Sequence, residues 1–224
     1  MFAKLFGKQN PVKREPDKIW QTRQLQYLGL LRFLESLNRQ TTRVLLIAHF
    51  PETFRALSGL LAAQATPLKT YTTASEGFQL QELSAYQPAG RVSLALAAAL
   101  PDTLTAPSRP TTAAGNFTIN VLVAEHHPLP SFDDRITAFA ASLPCRSTVC
   151  FHEALDGALL RSFGGEQIAR LMTSLGLPDT EFIANPTIDR SIRAAQEKIA
   201  RQVANPVTTD SAEQWFQLHL PQKN

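Results

Sequence analysis

A chain of 224 residues with 44% hydrophobic and 18% charged side chains describes a soluble globular protein with one large core, somewhat short for two. No run approaches the ~18–20 apolar residues of a membrane-spanning helix, and no apolar segment with a cleavage site appears, so a cytoplasmic location is expected. The isoelectric point near 9.0 hides a local imbalance: residues 1–23 carry six basic and two acidic side chains, and the remainder carries 16 basic against 17 acidic. A basic tail on a neutral body argues against a nucleic-acid-binding domain, which spreads positive charge over a face or groove.

The two cysteines, Cys145 and Cys150, have no second pair, which excludes a disulfide framework and the usual zinc spacings. With His152 they still lack a fourth ligand, so two buried thiols are expected, with no metal and no cofactor.

In chain order, Met1–Lys8 places Phe2, Leu5 and Phe6 on one side of a helical turn and Lys4 and Lys8 on another. This is a miniature interfacial pattern able to lie on an acidic membrane surface or contact a partner. The alternative is a disordered terminus, because eight residues make a weak helix alone. From Asp17 to Asn38 the apolar positions Trp20, Tyr27, Leu30, Leu31, Leu34 and Leu37 recur at helical spacing and predict one long amphipathic helix. Thr42–Ala48 is nearly continuously apolar, as a strand buried on both faces should be. Pro51 suits the first turn of a helix with Phe54, Leu57, Leu60 and Leu61 inward. A strand over 67–73, a helix over 75–86 and a buried strand over 91–97 are expected next. A proline-punctuated surface loop follows over 101–115.

Phe117–Ala124 alternates and is rich in β-branched residues, predicting a strand, and Glu125-His126-His127 follows at its end. Ser131 is a candidate N-cap, with Asp134 in the capping-box position. A strand over 147–152 and a helical run over 155–175 complete a strand–loop–helix–strand–helix rhythm, which predicts a parallel α/β sheet. Asn185-Pro186 caps a final helix with the stripe Ile188, Ile192, Ala195 and Ile199. In the tail, Trp215 and Phe216 either dock on the body or offer a partner a hydrophobic motif.

The segment 151–164, Phe-His-Glu-Ala-Leu-Asp-Gly-Ala-Leu-Leu-Arg-Ser-Phe-Gly, resembles the stretch after the last helicase motif of the SecA preprotein-translocase motor. Residues 168–177 continue the likeness, and 185–198 resemble the start of that motor's helical scaffold. Residues 15–22 resemble the entry to SecA's second nucleotide-binding lobe, residues 44–48 that lobe's first strand, and residues 1–8 SecA's amphipathic N-terminus. The resemblance implies a RecA-like lobe with a mainly parallel sheet flanked by helices, spanning 15–203, with a basic N-terminal segment over 1–14 and a tail over 204–224. It also implies a protein partner, a translocase or another motor or membrane complex.

The departures bear on chemistry. SecA's second lobe supplies arginines that reach the γ-phosphate of ATP held by the other lobe. Read without gaps, those positions here are Thr137, Phe139 and Ser142. A fixed positive charge there is worth ~10³–10⁵ in rate in related enzymes, and these side chains provide none. The preceding motif corresponds to the alanine-rich run 94–104, and no G-x-x-x-x-G-K-[ST] phosphate loop occurs in the 224 residues. The chain is therefore expected to keep the lobe and not the ATP chemistry, acting as an adaptor or regulator rather than an enzyme. Glu125, His126, His127 and Asp133 remain at a strand's carboxyl end, where open α/β sheets bind ligands, and His49 follows another strand. The rival expectation is an acid–base enzyme or ligand-binding protein using Glu125 and His127. Otherwise these residues are structural contacts that hold the helix start.

Overall fold

The computed structural model describes residues 12–38, 43–64, 66, 68–72, 92–101, 118–143 and 145–220. Residues 1–8, the helix expected over 75–86 and nearly all of the proline-rich excursion lie outside this set. The sheet is built from β1 (Val12–Arg14), β2 (Lys18–Trp20), β3 (Arg43–Ala48), β4 (Leu68–Tyr71), β5 (Val92–Leu96), β6 (Thr118–Val123) and β7 (Arg146–Ala154). Its order is β1-β7-β6-β3-β5-β4, with β2 also on β7, and every strand pairing is parallel. A parallel sheet flanked by helices is the fold class that the resemblance implies.

A parallel sheet needs cover on both faces, and the strand alternation supplies an apolar side chain to each. Leu45, Ile47, Val121 and Val149 face Ile136 and Phe139 of helix α3 (Pro130–Ser142) and Leu143 at its C-cap. The alternate residues Val44, Leu46 and Leu122 face Leu30 and Leu34 of α1 (Arg23–Asn38) and Leu57 and Leu61 of α2 (Pro51–Ala63). Each buried leucine of this kind contributes about 1.5–3 kcal/mol.

A third apolar cluster closes the carboxyl end of the sheet. Ile19, Phe50 and Leu129 pack there with α4 (Ala158–Ser162), α5 (Gly165–Ser174), α6 (Pro186–Ala200) and α7 (Ala212–His219). Asn185 caps α6 as predicted, its side chain accepting from the Thr187 amide. The α6 stripe differs by one turn position: Ile188, Ile192 and Ile199 are buried, and Gln196 joins them while Ala195 is half-buried.

Three expectations are corrected. The helix predicted from Asp17 begins at Arg23, and Lys18–Trp20 is an edge strand on His152–Ala154. β1 and β2 run along one neighbour, interrupted at residues 15–17, where Pro16 has no N–H for the ladder. The helix predicted from Ser131 begins at Pro130 with Leu129 at the N-cap and no side-chain cap; Ser131 is exposed and Asp134 pairs with Arg193. The helical run 155–175 is two helices, broken at Gly164 with φ +103. Only glycine adopts that backbone readily, and a Cβ on the next residue, Gly165, would meet the Leu160 carbonyl oxygen at 2.8 Å.

Gly29 is a further constraint. A Cβ there would sit 1.9 Å from the Trp20 ring, which is buried and donates through Nε1 to His152 Nδ1 at 3.3 Å. Glycine to alanine within a helix ordinarily stabilises by roughly 0.5–1 kcal/mol. Gly29→Ala is expected to reverse that sign and lower stability by about 1–3 kcal/mol in urea denaturation, because Trp20 cannot retreat.

Candidate functional site

The carboxyl ends of the strands bring together residues that are far apart in the chain. His49 follows β3, Glu125, His126 and His127 follow β6, Glu153 sits near the end of β7, and Asp133 lies in the first turn of α3. Asp17 comes from the interrupted edge strand, and Gln196 from α6 laid across the top.

Asp133 is the hub. Its Oδ2 lies 2.7 Å from His126 Nδ1 and accepts from Gln196 Nε2 at 2.6 Å. Its Oδ1 lies 2.9 Å from His49 Nε2 and accepts from the His127 amide at 3.1 Å. The second nitrogen of His126 lies 3.1 Å from Asp17 Oδ2, and Asp17 is also paired with Arg14. A ring with a carboxylate at each nitrogen must donate from both, so His126 is an imidazolium held between Asp17 and Asp133. Burial alone would lower its pKa, but the two carboxylates outweigh burial and push it up to about 10. For Asp133, burial is outweighed in turn by His126 and His49, which hold the carboxyl well below the usual carboxylate range.

The neighbouring groups are satisfied separately. Glu125 accepts from the Phe50 amide at 3.1 Å and from the Thr53 hydroxyl at 2.7 Å. Glu153 accepts from the His126 amide at 3.1 Å and from the Ala154 amide at 3.0 Å. Burial pushes both carboxyls up to about 7. His127 Nδ1 accepts from the Leu129 amide at 3.0 Å, so its other nitrogen carries the proton. Its ring is stacked on Phe132 at 3.9 Å and Phe50 at 5.4 Å, and burial lowers its pKa to about 3.

The pH dependence follows from these directions. A folded pKa raised from 6.5 to about 10 means that His126 contributes its full stability below pH 6.5 and loses it as the pH climbs toward 10. Below pH 6.5 the neutral imidazoles His127 and His152, both lowered to about 3, act with opposite sign to the raised carboxyls Glu125 and Glu153. Just above pH 7.5 the alkaline limb is set by His126, and the buried thiols of Cys145 and Cys150, raised to about 11, add a fall of the same sign as the pH approaches 9. Stability from urea denaturation is expected to fall by about 1.4 kcal/mol per pH unit between pH 7.5 and 8, and more steeply above that. A flat profile there would show that His126 is neutral in the folded chain.

The structure gathers four of the five sequence candidates, His49, His126, His127 and Asp133, into one bonded network, and places Glu125 beside it. It does not join Glu125 to His127: among the described residues no hydrogen bond links them. Asp17, Glu153, Thr53 and Gln196 belong to the cluster and were not anticipated. Gln196 had a signal, a polar side chain at i+4 from Ile192 and i−3 from Ile199 within an apolar stripe. Asp17 had none beyond its place after Pro16, because it read as the start of a helix. Trp215 is corrected as a surface contact: it is 1% exposed, edge-on to His127 at 5.7 Å and stacked on His219 at 4.4 Å. Phe216 is half-buried beside Phe163. Both cysteines are buried and unpaired, as expected, and burial raises each thiol to about 11.

Chemically, this arrangement ties four segments to one end of the sheet and leaves little room for a substrate. A cavity of about 160 Å³ touches it, bordered by Arg14, Asp17, His126, Asp133, Asp189 and Gln196. Among the described residues no group of three or more His, Cys, Asp or Glu side chains is placed to hold a metal ion. No described helix is long and apolar enough to cross a membrane.

No family model matches the chain. It is 24% identical over 187 residues to the protein translocase subunit SecA of Oleidesulfovibrio alaskensis, covering 84% of this chain and 21% of that protein. It is 24% identical over 191 residues to SecA of Desulfovibrio desulfuricans, covering 84% and 22%. Among solved structures, the C-terminal part of the Fun30 ATPase domain covers 77% of this chain and 54% of that one, at 11% identity and a TM-score of 0.44. The chain thus spans less than a quarter of the length of these two SecA relatives, and over most of its own length it is similar to a part of SecA.

Proposed function

We propose that this chain is a non-catalytic SecA-like module, an adaptor or regulator of protein-translocation machinery that binds a protein partner and does not turn over ATP. The observation that carries the reading is what occupies the positions read as SecA's γ-phosphate arginines. Phe139 is 3% exposed, in the core between α3 and the sheet. The Thr137 hydroxyl donates to the Asp133 carbonyl at 3.2 Å, and the Ser142 hydroxyl to the Phe139 carbonyl at 2.7 Å. These side chains are engaged within their own helix and offer a phosphate no cation.

The same burial supports a structural part for Glu125 and His127 over acid–base catalysis, since a general base must reach its substrate proton. In this proposal residues 15–203 form the module, at the cytoplasmic side, and residues 204–224 a tail. The basic segment 1–14, with Phe2, Lys4, Leu5, Phe6 and Lys8, contacts the partner or an acidic membrane surface. Nucleic acid has no part in it.

Titration of the chain with magnesium-ATP, together with a phosphate-release assay, tests the non-catalytic half. No saturable heat and no release above buffer are expected. Phosphate release that disappears in Glu125→Gln would overturn the reading in favour of an enzyme centred on that carboxyl.

A further inference from the structure

A large cavity lies away from the polar cluster, among the helices of the cap. It is a groove of about 1120 Å³ between α4, the C-terminal end of α6 and α7. Its apolar lining comes from Ala158, Phe163, Phe216 and Leu220, with the Phe163 and Phe216 ring centroids 6.3 Å apart. Polar side chains complete the lining: Arg161, Lys198 and Glu213, with Ser162, Gln202 and Gln217.

Two cations and one carboxylate line the groove, a small positive excess. The carboxylate, Glu213, is shared by two guanidiniums, Arg161 at 3.4 Å and Arg23 at 3.6 Å. Lys198 makes no ion pair among the described residues. The rim therefore keeps an excess of positive charge beside an apolar floor. Rim charge of this kind steers and registers a partner, while a large apolar side chain desolvated on the floor provides the anchor.

We infer that this groove docks an acidic segment of a protein partner, one that carries an aromatic or leucine side chain flanked by carboxylates. The anchor lies against Phe163, Phe216 and Leu220, and the flanking carboxylates face Lys198 and Arg161. The inference rests on the adaptor reading above and names where, and by what chemistry, the adaptor is engaged. Neither the neutral body nor the polar cluster predicts this sign.

The test is a displayed library of random twelve-residue peptides, selected on the full chain and counter-selected on Lys198→Glu. Lys198 is exposed and its substitution leaves the core untouched. Enriched peptides are expected to place one or two large apolar residues among Asp and Glu, and to bind Lys198→Glu at least tenfold more weakly than the wild type, as reversal of a charge at the rim requires. Failure of any peptide to enrich, enrichment of basic or uncharged peptides, or equal affinity for both proteins would overturn the proposal. Binding that appears only after removal of residues 221–224 would assign the groove to the chain's own terminus, and a dimer abolished by Lys198→Glu would assign it to a second copy; either result overturns it. A host partner retained by Lys198→Glu would likewise remove the groove and leave the adaptor reading standing. Loss of the adaptor reading itself is read separately, from the wild-type chain capturing no partner.

Discussion

Asp133→Ala is expected to lower stability by about 3–5 kcal/mol, the cost of removing one partner from a buried ion pair. The loss is large because one carboxylate serves four groups. Without it the His126 imidazolium keeps only Asp17, His49 Nε2 loses its acceptor, the His127 amide is orphaned, and the Gln196 side chain keeps only the His127 carbonyl at 2.7 Å. Each orphaned buried donor costs about 1–3 kcal/mol, so part of the structure must open to rehydrate them. A domain stable by about 5–15 kcal/mol is brought close to its unfolding limit. Urea denaturation at pH 7 measures this directly, and Asp133→Asn, which keeps one accepting oxygen and turns the other into an NH2 donor, is expected to fall between. A loss below about 1 kcal/mol in Asp133→Ala would mean that the network is not what holds α3, α6 and the edge strand together.

Trp215→Ala is expected to cost about 3–5 kcal/mol, the range for emptying a buried aromatic site. Trp215 fills the space between His127, Phe216 and His219, and helix α7 has few other anchors: Ala212 is buried with it, while Phe216 is half-buried and Leu218 exposed. The substitution is therefore expected to release α7 first, and amide hydrogen exchange should show residues 212–219 losing protection before the sheet does. Protection unchanged in α7 would show that its attachment depends on the ion pairs of Arg55 with Asp210 and Arg161 with Glu213 instead. Those pairs are exposed and worth little, so this outcome is not expected.

The sheet was legible in the chain because buried parallel strands leave an uninterrupted apolar signature: Val44–Ala48 and Val121–Val123 cannot be solvated in any other arrangement. Helix starts were less legible. Trp20 falls in phase with Leu30 and Leu34 of α1, yet it lies in a strand, and a three-residue edge strand is too short to show a period of two. Its tertiary contacts with His152 and the Cβ-free face of Gly29 decided the matter, and neither is local. The polar cluster was legible in part for the same reason. Residues at strand ends, Glu125 to His127 and His49, can be placed from strand boundaries alone. Asp17 and Gln196 reach the cluster through the edge strand and through α6, and only the packing of those elements across the sheet brings them there. Which of its two alternatives Trp215 takes, docking on the body, was not legible, because an isolated aromatic in a tail carries no mark of what it packs on.

An adaptor must have a physical partner, and the most direct measurement of one is affinity capture from the native host, quantified by mass spectrometry, with the full chain and the chain lacking residues 1–10 as baits. Enrichment of a component of the protein-translocation machinery by the full chain is predicted, weakened when the basic, apolar first ten residues are removed. Capture of no partner by a folded bait would contradict the adaptor account.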